Sequence, residues 1–249
     1  MTRPSDINVV ILCAGLGKRL RPLTDTLPKA LVTIAGKPLL EYHLEAIRDV
    51  GLRDVICVTG YLGEKIQEFA GDGSRFGLKI SYVRQELVNG TGAAVLAAAT
   101  DIKSDPYAVV YADVWINHLR ETWEKLIGSH TPKMVCAQVP DASDFGRVTS
   151  SITPKGLVLK TMVEKDGMAT PGLVYAGMLL LPKMSLQLLR GQGLSVRGEI
   201  ELPPVVMALV RNGKKVELVV TPQWTDIGTI AALQLVESQI EAAETRSPV

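Results

Sequence analysis

Short apolar segments alternate along this chain with segments whose apolar residues recur at helical spacing. The first apolar segment, Asn8–Cys13, reads NVVILC, as expected of a strand buried on both faces. Leu40, Leu44 and Ile47 then recur at positions i, i+4 and i+7, which is the spacing of one helix face. Because strands and helices that alternate in this way form βαβ units, the pattern predicts an α/β fold with a largely parallel sheet between helices.

The same two patterns continue along the rest of the chain. Further strands are predicted at Asp54–Thr59, Lys79–Val83, Tyr107–Ala112, Lys133–Val139, Arg147–Ile152, Leu157–Glu164, Leu173–Leu181 and Lys215–Thr221. Further helices are predicted at Leu62–Ala70, Thr91–Thr100, Asn117–Gly128, Pro203–Arg211 and Thr229–Ala242. Strands follow one another with few helices between residues 133 and 181, so we expect an antiparallel part within the same sheet. The 249 residues contain no Pro-, Gly- or Ser-rich linker, which predicts a single domain over 1–249 with its core at about 7–242.

The charge balance argues against several classes of partner. The chain has 27 Lys and Arg against 26 Asp and Glu, a net charge of +1, whereas nucleic-acid binders and polybasic membrane anchors are clearly basic. No apolar segment reaches the roughly 18 residues of a membrane span, and the amino-terminal residues lack the layout of a signal peptide. Cys13, Cys57 and Cys136 each lie in an apolar segment without metal-ligand spacing, so we expect buried free thiols. We therefore expect a cytoplasmic protein without a nucleic-acid or membrane partner.

A glycine-rich, basic segment follows the first predicted strand. Residues 14–23 read AGLGKRLRPL, and glycine lets backbone N–H groups approach phosphate oxygens because no Cβ intervenes. The segment is neither a P-loop nor a GxGxxG motif, since Leu20 stands at the third glycine position. Lys18, Arg19, Arg21 and Lys29 add the positive charge that a triphosphate needs. Local composition alone leaves a solvated basic loop equally open.

Two aspartates follow predicted strands. Asp113 comes directly after Tyr107–Ala112, and Asp226 comes shortly after Lys215–Thr221. Two carboxylates at strand ends of one sheet can share a hard divalent cation such as Mg²⁺. The alternative is that each aspartate is a helix cap or turn residue, and Asp226 stands close to the start of the last predicted helix.

The whole set of motifs resembles one enzyme family. Residues 14–42, AGLGKRLRPLTDTLPKALVTIAGKPLLEY, resemble the opening of the sugar-1-phosphate nucleotidyltransferases (nucleotide-sugar pyrophosphorylases), with the pattern AGxGTRLxPLT followed by PKxLxxxxGKPxL. The resemblance continues in family order at Gln85, 89–94, Asp113, 145–148, 164–165, 176–177, 198–202 and 224–229. It implies a Rossmann-like mixed, mostly parallel sheet flanked by helices, and a Mg²⁺-dependent transfer of a nucleotidyl group from an NTP to a sugar-1-phosphate.

The resemblance also implies roles for individual residues. Nucleotide binding falls to Leu12, Ala14, Gly15, Gly17, Gln85, Gly90 and Thr91. The catalytic cations are Arg19 on the β- and γ-phosphates, Lys29 at the α-phosphate and Lys165 on the sugar phosphate. Mg²⁺ binding falls to Asp113 and Asp226, and sugar binding to Gly146, Glu164, Tyr175 and Gly177. Tyr175 stands where the family commonly has Asn, so it must fill the space or reach the sugar differently. Trp224 is expected to pack rather than to bind.

The nucleotide and the sugar stay open at this point. The GTGAA stretch at 90–94 and the GDGSRFG stretch at 71–77 resemble uridylyltransferases, which favours UTP or dTTP. The alternatives are a GTP-dependent mannose-1-phosphate guanylyltransferase, a cytidylyltransferase acting on a non-sugar alcohol phosphate, and a non-catalytic subunit that senses nucleotide sugars. We expect a short form without the left-handed β-helix of the long uridylyltransferases, and we leave homo-oligomer formation open.

Overall fold

The computed structural model describes residues 6–163 and 167–246, with side chains described as far as Ala242. The strands are β1 (Val9–Cys13), β2 (Thr33–Ile34), β3 (Lys37–Pro38), β4 (Asp54–Thr59), β5 (Lys79–Arg84), β6 (Tyr107–Tyr111), β7 (Val114–Ile116), β8 (Lys133–Val139), β9 (Arg147–Thr153), β10 (Gly156–Val163), β11 (Gly172–Leu181), β12 (Glu217–Thr221) and β13 (Trp224–Asp226). The helices are α1 (Leu39–Asp49), α2 (Gly63–Ala70), α3 (Thr91–Ala97), α4 (Leu119–Ile127), α5 (Ser185–Arg190), α6 (Leu202–Arg211) and α7 (Ile230–Arg246).

A nine-stranded sheet in the order β5-β4-β1-β6-β11-β8-β12-β10-β9 forms the centre of the fold. β5, β4, β1 and β6 are parallel neighbours, and β8 is parallel to β12. β11 runs antiparallel to β6 and β8, and β10 runs antiparallel to β12 and β9. The expected α/β fold is confirmed, including the antiparallel part in the middle third of the chain. Among the described residues, however, four of the eight neighbouring strand pairs are parallel and four antiparallel, so the sheet is mixed and not mostly parallel as expected.

Helices cover both faces of the sheet because successive residues of a buried strand point to opposite sides. Val9 and Ile11 of β1 join one apolar core with α1, α2 and α4, whereas Val10 joins a second core with α3, α5 and α6. A third, smaller core packs Leu20, from the turn after β1, against Leu233 of α7. The turn that follows β1 is therefore held against the last helix.

Most of the predicted elements agree with the structure to within a few residues, and the exceptions have local causes. The helix predicted to reach Thr100 ends at Ala97, since Ala98 and Asp101 then form successive tight turns. The helix predicted from Asn117 starts at Leu119, because His118 has a left-handed φ of 56°. α5 and the short strands β2, β3, β7 and β13 were not expected, and the predicted strand end at Glu164 lies outside the described residues.

Within the described part of the chain, no helix combines the length and the apolar character needed to cross a bilayer.

Candidate active site

The carboxyl ends of β1, β5 and β6 open into a cavity of about 920 Å³. A neighbouring cavity of about 180 Å³ extends from it beneath the turn that follows β1. Among the residues predicted for the site, the larger cavity is lined by Leu12, Ala14, Gly15, Arg19, Gln85, Gly90, Thr91, Asp113, Gly146, Tyr175, Gly177 and Asp226. The smaller cavity adds Gly17 and Lys29, and also contacts Lys18. Glu164 and Lys165 lie outside the described residues.

The turn after β1 needs glycine at position 17. Gly17 has a φ of +61°, and a Cβ there would lie 2.9 Å from Cγ2 of Thr24. The hydroxyl of Thr24 donates a hydrogen bond of 2.8 Å to the carbonyl oxygen of Gly17. The backbone thus folds back on itself, and the Arg19 side chain is left largely exposed beside the smaller cavity.

The two aspartates come together through a small antiparallel ribbon formed by β7 and β13. Asp226 pairs with Val114 in this ribbon, and the amide of Ile227 donates a hydrogen bond of 2.9 Å to the carbonyl oxygen of Asp113. Asp226 therefore lies in its own strand, not in the cap of α7. The hydroxyl of Thr229 accepts a hydrogen bond from the amide of Ala232 in the first turn of α7.

Lys29 lies between the two carboxylates. Its Nζ is 2.6 Å from Oδ2 of Asp113 and 3.4 Å from Oδ1 of Asp226, and only 11% of its side chain is exposed. Nη2 of Arg19 lies 3.6 Å from the other carboxylate oxygen of Asp226. Two anions and two cations thus meet where the larger and smaller cavities join.

These donors fit a divalent cation that substrate phosphates help to coordinate. Mg²⁺ is usually held by one or two carboxylates, with water and phosphate oxygens completing its octahedron. Within the described ranges, no third His, Cys, Asp or Glu joins the pair to form a complete cage. Asp113 and Asp226 suit an ion that enters with a nucleotide better than a permanent structural metal.

The loop that precedes α3 is tied to the segment that precedes α6. Gln85 is only 6% exposed, and its Nε2 donates a hydrogen bond of 3.2 Å to the carbonyl oxygen of Gly90. The amide of Ile200 donates to the carbonyl oxygen of Asn89 at 2.9 Å, and the amide of Leu202 donates to the hydroxyl of Thr91 at 3.1 Å. These bonds hold a rigid rim on one side of the larger cavity.

Aromatic rings also line the larger cavity. Tyr175 packs edge-on against Tyr111 with ring centroids 5.6 Å apart, and Trp224 packs in the same manner against Phe145 at 5.1 Å. The Tyr175 hydroxyl oxygen is buried. Burial raises the pKa of Tyr175 well above its usual range and that of Tyr111 to about 12. Both phenols therefore stay neutral. Trp224 packs against Phe145 as expected, and it also lines the larger cavity.

Several cavity residues were not singled out from the sequence. They are Tyr111, Asp141, Asp144, Met162 and Arg197. Arg197 forms hydrogen bonds of 2.8 and 3.2 Å to Oε1 of the buried Glu201. Arg197 could have been found from the sequence because it directly precedes the GEIEL stretch, which belongs to the family pattern.

Comparison with known proteins identifies the family. A family model described as nucleotidyl transferase matches residues 8–243. The glucose-1-phosphate thymidylyltransferase of Streptomyces griseus is 31% identical over 244 residues, which cover 96% of this chain and 68% of that protein. The bifunctional protein GlmU of Methanococcus maripaludis is 32% identical over 222 residues, or 89% of this chain and 51% of that protein, so the chain spans about half the length of this relative.

A solved structure shows the same fold. The structure of UDP-glucose pyrophosphorylase complexed with UDP-glucose superimposes with a TM-score of 0.82 at 21% identity, covering 95% of this chain and 99% of that one. The resemblance first noted at residues 14–42 is confirmed along nearly the whole length. The chain belongs to the nucleotidyl transferase family.

Proposed function

We propose that this protein transfers a nucleotidyl group from a nucleoside triphosphate, with UTP or dTTP favoured, to a sugar-1-phosphate and releases pyrophosphate. The observation that carries the proposal is the meeting of Arg19, Lys29, Asp113 and Asp226 at one end of a cavity about 920 Å³ in volume. Arg19 and Lys29 can bind phosphate groups there, and the aromatic rings that line the same cavity suit the faces of a sugar ring.

The reaction needs charge stabilisation more than proton transfer. A sugar-phosphate oxygen is already an anion when it attacks the α-phosphorus in line. A new P–O bond forms as the bond from the α-phosphorus to the bridging oxygen breaks, and pyrophosphate carries away that electron pair. Lys29, being mostly buried, opposes the charge that builds at the α-phosphate, while Arg19 binds the departing phosphates.

We propose Asp113 and Asp226 as the residues that hold Mg²⁺. When bound there, the ion neutralises phosphate oxygens and so lowers the repulsion between the two substrates. Arg19 and Lys29 already lie beside these carboxylates, so the cations needed for the reaction share one position in the fold. Lys165 and Glu164 are proposed on the sugar phosphate and the sugar from the family resemblance alone.

The remaining residues divide the cavity into two parts. We assign the base and ribose to the rim at Gln85, Gly90 and Thr91 together with Leu12. We assign the sugar to the wall that includes Gly146, Tyr175 and Gly177. The buried hydroxyl of Tyr175 implies that its ring, rather than its oxygen, contacts the sugar.

We further propose that the chain works as one catalytic domain in a reducing compartment such as the cytoplasm. The described site residues come from the nine-stranded sheet, from the segments that follow its strands and from the ribbon of β7 and β13. Cys13, Cys57 and Cys136 are buried free thiols, as reducing conditions favour.

The proposal is tested by pyrophosphate release from five nucleoside triphosphates, each combined with several sugar-1-phosphates and Mg²⁺. Release should require all three components and be fastest with UTP or dTTP. Preference for GTP with mannose-1-phosphate, or for CTP with a polyol phosphate, would redirect the proposal to the corresponding alternative. Nucleotide-sugar binding without release in any combination would indicate a sensing subunit and contradict the proposed catalysis.

A further inference from the structure

A buried histidine lies against the strand that follows Asp113. His43 of α1 is 1% exposed, and its Nε2 lies 3.1 Å from the carbonyl oxygen of Val114. A carbonyl oxygen only accepts, so Nε2 carries the proton and donates. Burial lowers the pKa of His43 to about 4, which keeps the ring neutral near pH 7. The ring makes this bond from within an apolar layer that includes Leu40 and Leu44.

Packing alone does not account for a histidine at this position. Its other nitrogen, Nδ1, is buried without a hydrogen-bond partner in the described part of the chain. A buried polar atom without a partner destabilises the fold, whereas an apolar side chain would fill the same layer without that penalty. The bond to Val114 is therefore the feature that distinguishes His43 from an apolar residue.

The bond reaches the ribbon of β7 and β13, in which Asp226 ends β13 and before which Asp113 directly stands. Val114 follows Asp113 directly and pairs with Asp226. The ribbon has three residues in each strand and is separate from the nine-stranded sheet. Because a two-stranded ribbon of this length has little stability of its own, it needs anchors to the rest of the fold.

We propose that His43 is a positioning residue, whose Nε2–H holds the backbone of Val114 and so fixes the ribbon that aims Asp113 and Asp226 into the cavity. The anchoring depends only on the contacts described. The role of the two carboxylates in binding Mg²⁺ rests on the proposed function.

The test compares two variants of similar length and shape, His43→Gln and His43→Met. Glutamine places an N–H donor close to the position of Nε2, whereas methionine fills the layer without a donor. The matched control is Tyr107→Phe, which removes another buried hydrogen bond, 2.7 Å long, between Tyr107 and Ser185. Tyr107 begins β6, at the end opposite the cavity.

Three quantities are measured on the full chain: hydrogen exchange of the amides in 114–116 and 224–227, binding of Mn²⁺ by electron paramagnetic resonance, and kcat with KM for the nucleotide. His43→Met should speed exchange in the ribbon and weaken Mn²⁺ binding, each by about tenfold, and lower kcat more than it raises KM. In all three quantities His43→Gln should stay much closer to the wild type than His43→Met does. Tyr107→Phe should lower the melting temperature without moving the three quantities.

Equal ribbon exchange in His43→Met and Tyr107→Phe would overturn the proposal, and so would a failure of glutamine to improve on methionine. If His43→Met does not fold, His43→Leu takes its place in the same comparison. If the wild type neither binds Mn²⁺ nor turns over while ribbon exchange still follows the donor at position 43, the proposed function fails and the anchoring role stands.

Discussion

At the scale of single residues, Lys29 is the group on which the candidate site is centred. Two carboxylates as close as those of Asp113 and Asp226 repel one another unless a cation lies between them, and the Nζ of Lys29 contacts both. Lys29 also lines the smaller cavity. The residue thus links the stability of the site to its proposed chemistry.

Asp113→Asn should lower kcat by about 100-fold or more, because an amide of the same shape lacks the charge needed to hold Mg²⁺. The fold should persist, since the carbonyl oxygen that accepts from Ile227 is unchanged. Steady-state kinetics and thermal unfolding check both expectations. Glu45→Gln is the control because it breaks a comparable lysine–carboxylate contact, 2.7 Å to Lys37, outside both cavities. Near-normal turnover of Asp113→Asn would remove Asp113 from the metal site.

At the scale of elements, a strand or helix is predicted from the sequence only if it is long enough to show a recognisable apolar pattern. Asp54–Thr59 and Lys133–Val139 were predicted to the residue because continuous apolar segments mark buried strands. β7 and β13 have three residues each, too few for a periodic pattern, and their paired residues are 108 to 112 positions apart in the chain. The sequence therefore placed Asp226 after a strand and near a helix start, although it lies in a ribbon.

The candidate site was predicted mainly by family resemblance and not by local pattern. Lys29 and Asp226 meet although they are 197 positions apart, and no spacing rule connects them. The sequence did not identify Tyr111 as a cavity residue, because a single aromatic residue in a strand is indistinguishable from a core residue until the cavity is known. Such distant residues meet through tertiary pairing, which sequence periodicity does not encode.

The loop before α3 offers a test at this scale. Gly90 has a φ of +111°, and a Cβ there would collide with the carbonyl oxygen of Ile200. Gly90→Ala should therefore lower the free energy of unfolding by about 1–3 kcal/mol or more and raise KM for the nucleotide. Urea unfolding and kinetics measure the two effects. Gly193→Ala, where a Cβ meets nothing within 4 Å, should change the unfolding free energy by less than about 1 kcal/mol. Equal effects of the two substitutions would contradict the rigid rim.

At the scale of the whole molecule, the net charge of +1 conceals a separation of charge. Residues 1–40 contain six Lys and Arg (Arg3, Lys18, Arg19, Arg21, Lys29 and Lys37) against Asp6 and Asp25. The fold places Lys18, Arg19 and Lys29 of this set around the smaller cavity. Asp141, Asp144, Glu199 and Glu201 line the larger one instead. A near-neutral protein thus presents a local cationic end to an anionic substrate.

Stability should depend on pH through His43. Its pKa is lowered from 6.5 to about 4 on folding, so the unfolded chain binds the proton first as the pH falls. The nearest charged group, Asp113, opposes this shift only weakly compared with burial. Between about pH 7.5 and about pH 4 the wild type should lose about 3 kcal/mol of unfolding free energy relative to His43→Met. Urea unfolding of both proteins at the two pH values measures the difference. A constant difference would show that the pKa of His43 is the same in the folded and the unfolded chain.

The central claim is that the cavity joins a nucleotide to a sugar phosphate. The most direct measurement follows the phosphorus atoms by ³¹P NMR in a mixture of the protein, UTP or dTTP, glucose-1-phosphate and Mg²⁺. We expect the glucose-1-phosphate signal to be replaced by the two coupled signals of a nucleotide-diphosphate sugar, with one equivalent of pyrophosphate, and we expect EDTA to stop the reaction. Hydrolysis of the triphosphate that leaves glucose-1-phosphate and every other sugar-1-phosphate in the panel unchanged would contradict the account.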